Sequence, residues 1–398
     1  MGHRRIRFFF LIVLIGVVCY LGYLFFFDHS IAPNLTSYPI PQLSFFPKKV
    51  NIPESDPLTK EGVRLGRYLF YDGRLSGSEN QDSLKSCASC HIQSKGFGSD
   101  IKVLAGKGYP CGITKEGKGV YGNELHVTLP LSNLIYNSNG YFWNGFIHEK
   151  NSFEDGEIET DFRNLESIVW ISIVSDQGIN ADINRMLDII GSEEIYKPLF
   201  TSAFGNEEIT LSRITKAISQ FIRTIIASDF KFYHFMEGKV QLNESEEKGY
   251  ELFYSERAGC FHCHTSSMLM TTNQYYNNGK KVEFEDNCDR AAITSNPRDK
   301  GAFRAPSLIN CALNAPFMHD GRYATLEEVI EFYSEDIHNS QYADPLVKGL
   351  KDGGIHLNSR EKIDLINFLY TLTDQTILTD TSYACPNALG KFGMRDQL

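Results

Sequence analysis

Positive charge is scarce in this chain. Lysine and arginine number 39 against 49 aspartates and glutamates, giving a net charge of −10 over 398 residues. A surface of that sign repels a phosphate backbone and excludes nucleic acid as a partner. Alternating strand patterns are scarce too, so the fold class is expected to be mainly α. Cysteine is thin: nine residues over this length do not make a disulfide scaffold, and a hydrophobic core has to hold the fold. Long apolar runs are confined to one place, the twenty uncharged residues from Phe8 to Phe27, which follow Arg4, Arg5 and Arg7. That length spans a bilayer as a helix, and no A-x-A cleavage site follows it. The expectation is an uncleaved single-pass anchor over residues 1–27. Its basic end would lie in the cytoplasm and the remainder on the periplasmic side of the inner membrane.

What is present begins with a tether. Residues 28–57 hold six prolines and read as an extended link between anchor and body. The body carries two Cys-x-x-Cys-His runs, Cys87-Ala-Ser-Cys90-His91 and Cys260-Phe-His-Cys263-His264. Two thiols at this spacing reach the two vinyl groups of one porphyrin, and the next residue, histidine, falls under the iron. A zinc site would need a second close Cys/His pair, and a thiol redox pair would not need the trailing histidine twice. The chain is therefore expected to carry two covalently bound haem c groups. They would be attached by Cys87 and Cys90, and by Cys260 and Cys263, with His91 and His264 as proximal iron ligands. Cys111, Cys288, Cys311 and Cys385 remain; they allow three pairings or stay as buried thiols.

The body contains a duplication. Leu65-Gly-Arg-Tyr-Leu-Phe-Tyr71 precedes the first motif and Gly249-Tyr-Glu-Leu-Phe-Tyr254 the second. After each comes a second matching piece, Pro130-Leu-Ser-Asn133 with Trp143-Asn-Gly145, and Pro306-Ser-Leu-Ile-Asn310 with His319-Asp-Gly321. A unit of helix, haem loop and ligand-bearing segment occurring twice predicts tandem cytochrome c-like domains, 58–240 and 241–398. Other helices are expected over Ile209 to Ser228, from the Thr325-x-x-Glu328 capping box to Tyr333, and over Asn358 to Thr371.

At this point the chain resembles the bacterial diheme cytochrome c peroxidase family, which includes the MauG-type enzymes. The carrying residues are Leu65-Gly-x-x-Leu-Phe-Tyr-Asp-x-Arg74, the first haem motif and Tyr141-Phe-Trp-Asn-Gly145. The second half adds Phe303-Arg-Ala-Pro-Ser-Leu-Ile-Asn310, Ala315-Pro-Phe-Met-His-Asp-Gly-Arg322 and Ala324-Thr-Leu-Glu-Glu-Val329. The likeness spans about residues 58–375. It implies an N-terminal haem that meets hydrogen peroxide and a C-terminal haem that takes electrons from a donor. Trp143 would lie between them, and Arg304 would contact a haem. A calcium ion between the domains is also implied, held by an asparagine side chain and backbone oxygens near Asn314 and Pro316. Val127 stands at the asparagine position, which removes one oxygen ligand.

The resemblance sharpens three questions. His126 is the only histidine between His91 and Trp143; it falls near the place of a family arginine, so haem 1 is expected to be five-coordinate or loosely ligated. Tyr333 stands where many family members carry a methionine ligand and where MauG-type enzymes carry a tyrosine. A phenolate there lowers the potential of haem 2. Met268, Met270 and Met318 are alternative ligands. Finally, Gly178 stands where the family has an acid/base glutamate, and Ser172 replaces a proline. Asp176, Gln177 or Glu166 are the substitutes on hand.

The resulting expectation is a membrane-anchored diheme peroxidase. It would reduce hydrogen peroxide with electrons from a small cytochrome or cupredoxin, with Trp143, Asp176 and Gln177 as catalytic residues. Rival readings are MauG-like oxidation of a partner protein and a purely electron-transferring or redox-sensing cytochrome.

Overall fold

The computed structural model describes residues 35–104, 111–113, 119–146, 165–175, 178–281, 284 and 288–394. The expected anchor lies outside the described residues. Among the described residues, no helix is long and apolar enough to cross a membrane.

The molecule is mainly helical. Eleven helices are seen among the described residues: α1 (Lys60–Tyr71), α2 (Leu165–Val174), α3 (Ile183–Ser192), α4 (Tyr196–Phe204), α5 (Leu211–Arg223), α6 (Lys231–Met236), α7 (Glu244–Phe253), α8 (Phe261–His264), α9 (Ala291–Thr294), α10 (Leu326–Glu335) and α11 (Ser359–Tyr370). Strands are short antiparallel pairs: β1 (Lys102–Leu104) with β4 (Leu125–Val127), β2 (Gly112–Ile113) with β3 (Gly119–Val120), and β5 (Tyr275–Tyr276) with β6 (Phe303–Arg304).

Helix starts follow the capping chemistry in the sequence. Thr59 caps α1 by accepting from the Gly62 N–H, and Thr210 caps α5 by accepting from Arg213. Thr325 with Glu328, and Asn358 with Glu361, form reciprocal capping boxes on α10 and α11.

The duplicated sequence pieces do duplicated physical work. α1 packs on α5 so closely that a Cβ at Gly66 would lie 1.8 Å from the Ala217 carbonyl oxygen. α7 packs on α11 in the same way, and a Cβ at Gly249 would lie 1.9 Å from the Asp364 carbonyl oxygen. The second matched piece is equally paired. Asn133 and Asn310 both adopt left-handed backbone, at φ 64° and 60°. The Asn133 amide brackets Ala227, accepting from its N–H at 3.1 Å and donating to its carbonyl at 3.2 Å. Asn310 accepts from the Asp374 N–H at 2.7 Å. Each asparagine thus holds the chain just after a packed helix. That hold accompanies the end of α5 at Arg223 rather than at Ser228: Ile225 N–H closes a last tight turn on the Ile222 carbonyl at 3.1 Å, and the Ile225 carbonyl is taken up by Asn133 N–H at 2.8 Å.

Among the described residues one disulfide, Cys111–Cys288, joins positions 177 residues apart, one in each half of the chain. Cys311 is a buried free thiol and Cys385 is also unbridged.

Candidate functional site

The first haem motif is a tight turn. Cys90 N–H and His91 N–H both donate to the Cys87 carbonyl, at 3.2 and 2.9 Å, and Ser86 N–H donates to Ser89 Oγ at 3.0 Å. The His91 ring lies with Nδ1 3.3 Å from the Phe97 carbonyl oxygen. The second motif repeats the device on α8: His264 N–H donates to Cys260 O at 3.0 Å, and Nδ1 lies 3.1 Å from the Pro306 carbonyl oxygen. A carbonyl at Nδ1 fixes the tautomer and leaves Nε2 to bind a metal. Burial pulls both imidazoles down to about 4, so both stay neutral and ligand-ready at neutral pH. Burial likewise pushes the thiols of Cys87, Cys260 and Cys263 up to about 12, and Cys90 moves the same way. Unpaired thiols in such surroundings are poor nucleophiles and redox centres. Thiol pair, trailing imidazole and supporting carbonyl suit a thioether-bound haem at both motifs.

Over the first motif opens a cavity of about 790 Å³, within the range of cofactor sites. Its walls include Cys87, Cys90 and His91 on one side, and Ile171, Ser172, Ser175 and Gly178 from α2 and the turn after it on another. The α2 end is closed by Gly178 N–H donating to Ser175 O at 2.9 Å and Ile179 N–H to Ser172 O at 2.8 Å. A Cβ at Gly178 would lie 1.9 Å from the Ser172 carbonyl oxygen, so no glutamate fits at this position. Glu166 does not replace it. Its carboxylate receives both terminal nitrogens of the buried Arg223, at 2.5 and 3.1 Å, and it is not among the cavity-lining residues. This corrects the expectation that Glu166 is a spare acid/base: the buried guanidinium needed a counter-charge, and α2 supplies it. Asp176 and Gln177 lie outside the described residues. His126 and His91 are the histidines among the described lining residues, and methionine is not represented there.

Trp143 is half-buried at the joint between the halves. Its indole N–H donates to the Val127 carbonyl at 2.8 Å, and its carbonyl accepts from Arg304 N–H at 2.7 Å. Its ring lies 6.4 Å from that of His319. The His319 ring in turn stacks on Phe303 at 3.5 Å, with His126 edge-on at 5.2 Å. His126 therefore belongs to the same aromatic cluster that Trp143 touches. The Arg304 guanidinium lines the cavity and donates to the carbonyls of Asn139, Gly140 and Phe142, to Tyr275 and to Asn273. It staples the loop that carries Trp143 to β5 and β6.

On the C-terminal side, the Asn278 amide donates to Tyr333 Oη at 3.2 Å and to Met318 Sδ at 3.7 Å. Burial pushes the Tyr333 phenol up, Asn278 opposes this, and the nearby Cys263 and Cys260 thiols add to the rise. Tyr333 thus stands close to the second pair of attachment thiols, with Met318 beside it. Met270 is turned elsewhere: it is buried, and its sulfur accepts from Tyr254 Oη at 3.6 Å. Met268 is likewise part of the apolar core. Sequence reasoning missed His319 as the neighbour of Trp143, although His319-Asp-Gly321 was in view as a motif. It missed Asn278 entirely, because no local pattern marks an asparagine that meets a helix 55 residues away.

Comparison with known proteins agrees with this geometry. The di-haem cytochrome c peroxidase family model matches residues 60–241. Methylamine utilization protein MauG of Methylorubrum extorquens is 28% identical over 328 residues, covering 82% of this chain and 82% of that protein. Cytochrome c551 peroxidase of Nitrosomonas europaea is 28% identical over 321 residues, covering 80% and 81%. By these likenesses the chain resembles the di-haem cytochrome c peroxidases. It is a peroxidase-like oxidoreductase with two c-type haems. Among solved structures, a MauG-like protein associated with microbial copper homeostasis superposes with a TM-score of 0.69 at 29% identity, over 87% of this chain and 99% of that one. The diheme peroxidase BthA of Burkholderia thailandensis shares the fold, with a TM-score of 0.56 at 18% identity.

Proposed function

We propose that this protein reduces hydrogen peroxide at the haem held by Cys87, Cys90 and His91, with electrons entering through the haem held by Cys260, Cys263 and His264. The observation that carries the reading is the cavity of about 790 Å³ above His91, whose lining among the described residues offers no methionine and whose second histidine, His126, is engaged in the aromatic cluster. When bound, the first haem supplies peroxide cleavage and the second supplies electron exchange. The chain does the rest. Phe97 O and Pro306 O orient the two imidazoles. The apolar walls limit water. Trp143, fixed by Val127 O and packed against His319, bridges the two halves. Asp176 and Gln177 follow the cavity-lining Ser175 and precede Gly178 in sequence, and the proton-handling role is assigned to them. Tyr333 would help hold the iron of the second haem and lower its potential, with Met318 as its competitor.

The second reading is oxidation of a partner protein, as the MauG name of two relatives suggests. Tyr333 near the Cys260 and Cys263 thiols favours it. The polypeptide before the Pro-rich tether is assigned as a membrane anchor, with the haem-bearing halves, divided near residue 240, on the periplasmic side.

The test is rapid-mixing absorption and electron paramagnetic resonance on the di-haem protein with stoichiometric peroxide. A high-spin ferric signal that is consumed on mixing is expected. Two six-coordinate haems unchanged by peroxide, as isolated and after partial reduction, would leave an electron-transfer cytochrome. Turnover with a reduced cytochrome or cupredoxin then separates peroxide reduction from oxidation of a partner protein.

A further inference from the structure

The family resemblance implies calcium between the haem-bearing halves, yet the residues at that place do not suit it. Val127 offers methyl groups where an asparagine oxygen is required. Across the β1–β4 pair it faces Lys102, whose ammonium donates to the Gly321 carbonyl at 2.7 Å. The space is filled as well. A Cβ on Gly321 would lie 2.5 Å from Val127 Cγ2, 2.7 Å from Lys102 Cε and 2.9 Å from Pro316 Cγ. Calcium takes about six to eight oxygen ligands at roughly 2.3–2.6 Å. Here one oxygen has become a methyl, a carbonyl is committed to an ammonium, and an incoming dication would meet that ammonium's charge.

We propose that the Lys102 ammonium is a built-in cation that takes the place of calcium at this joint. It ties β1, in the N-terminal half, to the His319-Asp-Gly321 segment of the C-terminal half. The neighbouring bonds show what the tie holds. Val127 N–H donates to His319 O at 2.7 Å, and Val127 O receives the Trp143 indole at 2.8 Å. Lys102 is therefore a positioning residue for the contact between Trp143 and His319, and that contact needs no exchangeable ion.

The first experiment uses the native di-haem protein. Calcium is counted by mass spectrometry after gel filtration, and absorption and paramagnetic resonance spectra are taken with and without a calcium chelator. Calcium well below one ion per chain is expected, with both haem signals unmoved by the chelator. One tightly held calcium per chain, or haem signals that shift on chelation, would overturn the proposal. The second experiment restores the missing oxygen and removes the ammonium. Calorimetric titration of the Lys102→Ala/Val127→Asn double variant with calcium chloride is expected to show binding at least about tenfold tighter than native, with haem spectra that become chelator-sensitive. The conservative Lys102→Arg variant should stay indifferent to calcium. A double variant that binds calcium no better than native would refute the assignment.

Discussion

The Arg223 side chain has no exposed surface, and Glu166 on α2 meets it with both carboxylate oxygens. Arg223 also donates through Nε to the Asn51 carbonyl at 2.6 Å, so the guanidinium ties α2, α5 and the tether-side chain together. Removing one partner of such a pair leaves a buried charge uncompensated, at a cost of about 3–5 kcal/mol. Glu166→Gln is expected to lower the unfolding free energy, read by urea denaturation, by that order. It should leave the pH profile of the peroxide reaction where it was, because the carboxylate is not in the cavity wall. A displaced pH profile would return Glu166 to the acid/base role.

Lys280 makes a second residue-scale prediction. Its side chain is 3% exposed and its ammonium meets Asp320 at 2.5 Å. Burial outweighs that ion pair and brings the ammonium down to about 8, from an ordinary 10.5. For Asp320, burial pushes upward, but Lys280 and Arg322 together hold the carboxyl below its ordinary value. Between about pH 8 and 10.5 the unfolded chain holds a proton at Lys280 that the folded chain has released. Stability then rises with pH through this window. Urea denaturation followed across it should show the native protein gaining on Lys280→Met as pH increases, and parallel curves would contradict the burial of the charge.

At the scale of elements, the two glycines that let helices touch are the same residue of a repeated sequence piece. Gly66 in α1 and Gly249 in α7 each abut a backbone carbonyl of the opposing helix, at Ala217 and Asp364. A methyl group at either place must push a helix pair apart, and overpacking of this kind costs roughly 1–3 kcal/mol. Gly66→Ala and Gly249→Ala are each expected to lower the melting temperature, and Gly66→Ala should perturb the haem held by His91 more than the one held by His264. Equal disturbance of both haem spectra would count against two separately packed helix pairs. These elements were legible in sequence because their signals are local: capping residues, apolar periodicity and a short motif seen twice. The point where α5 stops was not. Asn133 holds the chain beyond Arg223 from 94 residues away, and no pattern within the helix encodes it. The same distance problem hid Asn278 from Tyr333 and Arg223 from Glu166. The haem motifs could be read because attachment chemistry confines all their residues to one turn, whereas the cavity above His91 draws its wall from segments far apart in the chain.

At the scale of the whole molecule, the joint between the halves is held by crosslinks of several kinds. The Lys102 ammonium, the Arg304 guanidinium and the Cys111–Cys288 disulfide all run from one half to the other. Sequence left three pairings open for the four spare cysteines, since spacing alone carries no distance information; the fold brings Cys111 and Cys288 to a Cα separation of 5.6 Å. Both also line the cavity that carries Trp143 in its wall. Closing a loop of 177 residues restricts the unfolded chain, by roughly 5 kcal/mol at most in the chain-entropy model. The Cys111→Ser/Cys288→Ser double variant is therefore expected to melt at a lower temperature with both haems still attached, because neither cysteine belongs to an attachment motif. If the disulfide also holds the cavity mouth in register, peroxide should react more slowly in this variant while the ferric spectrum at rest is preserved. Rapid mixing against the native protein would read that difference directly. An unchanged rate with a lowered melting temperature would confine the disulfide to holding the two halves together.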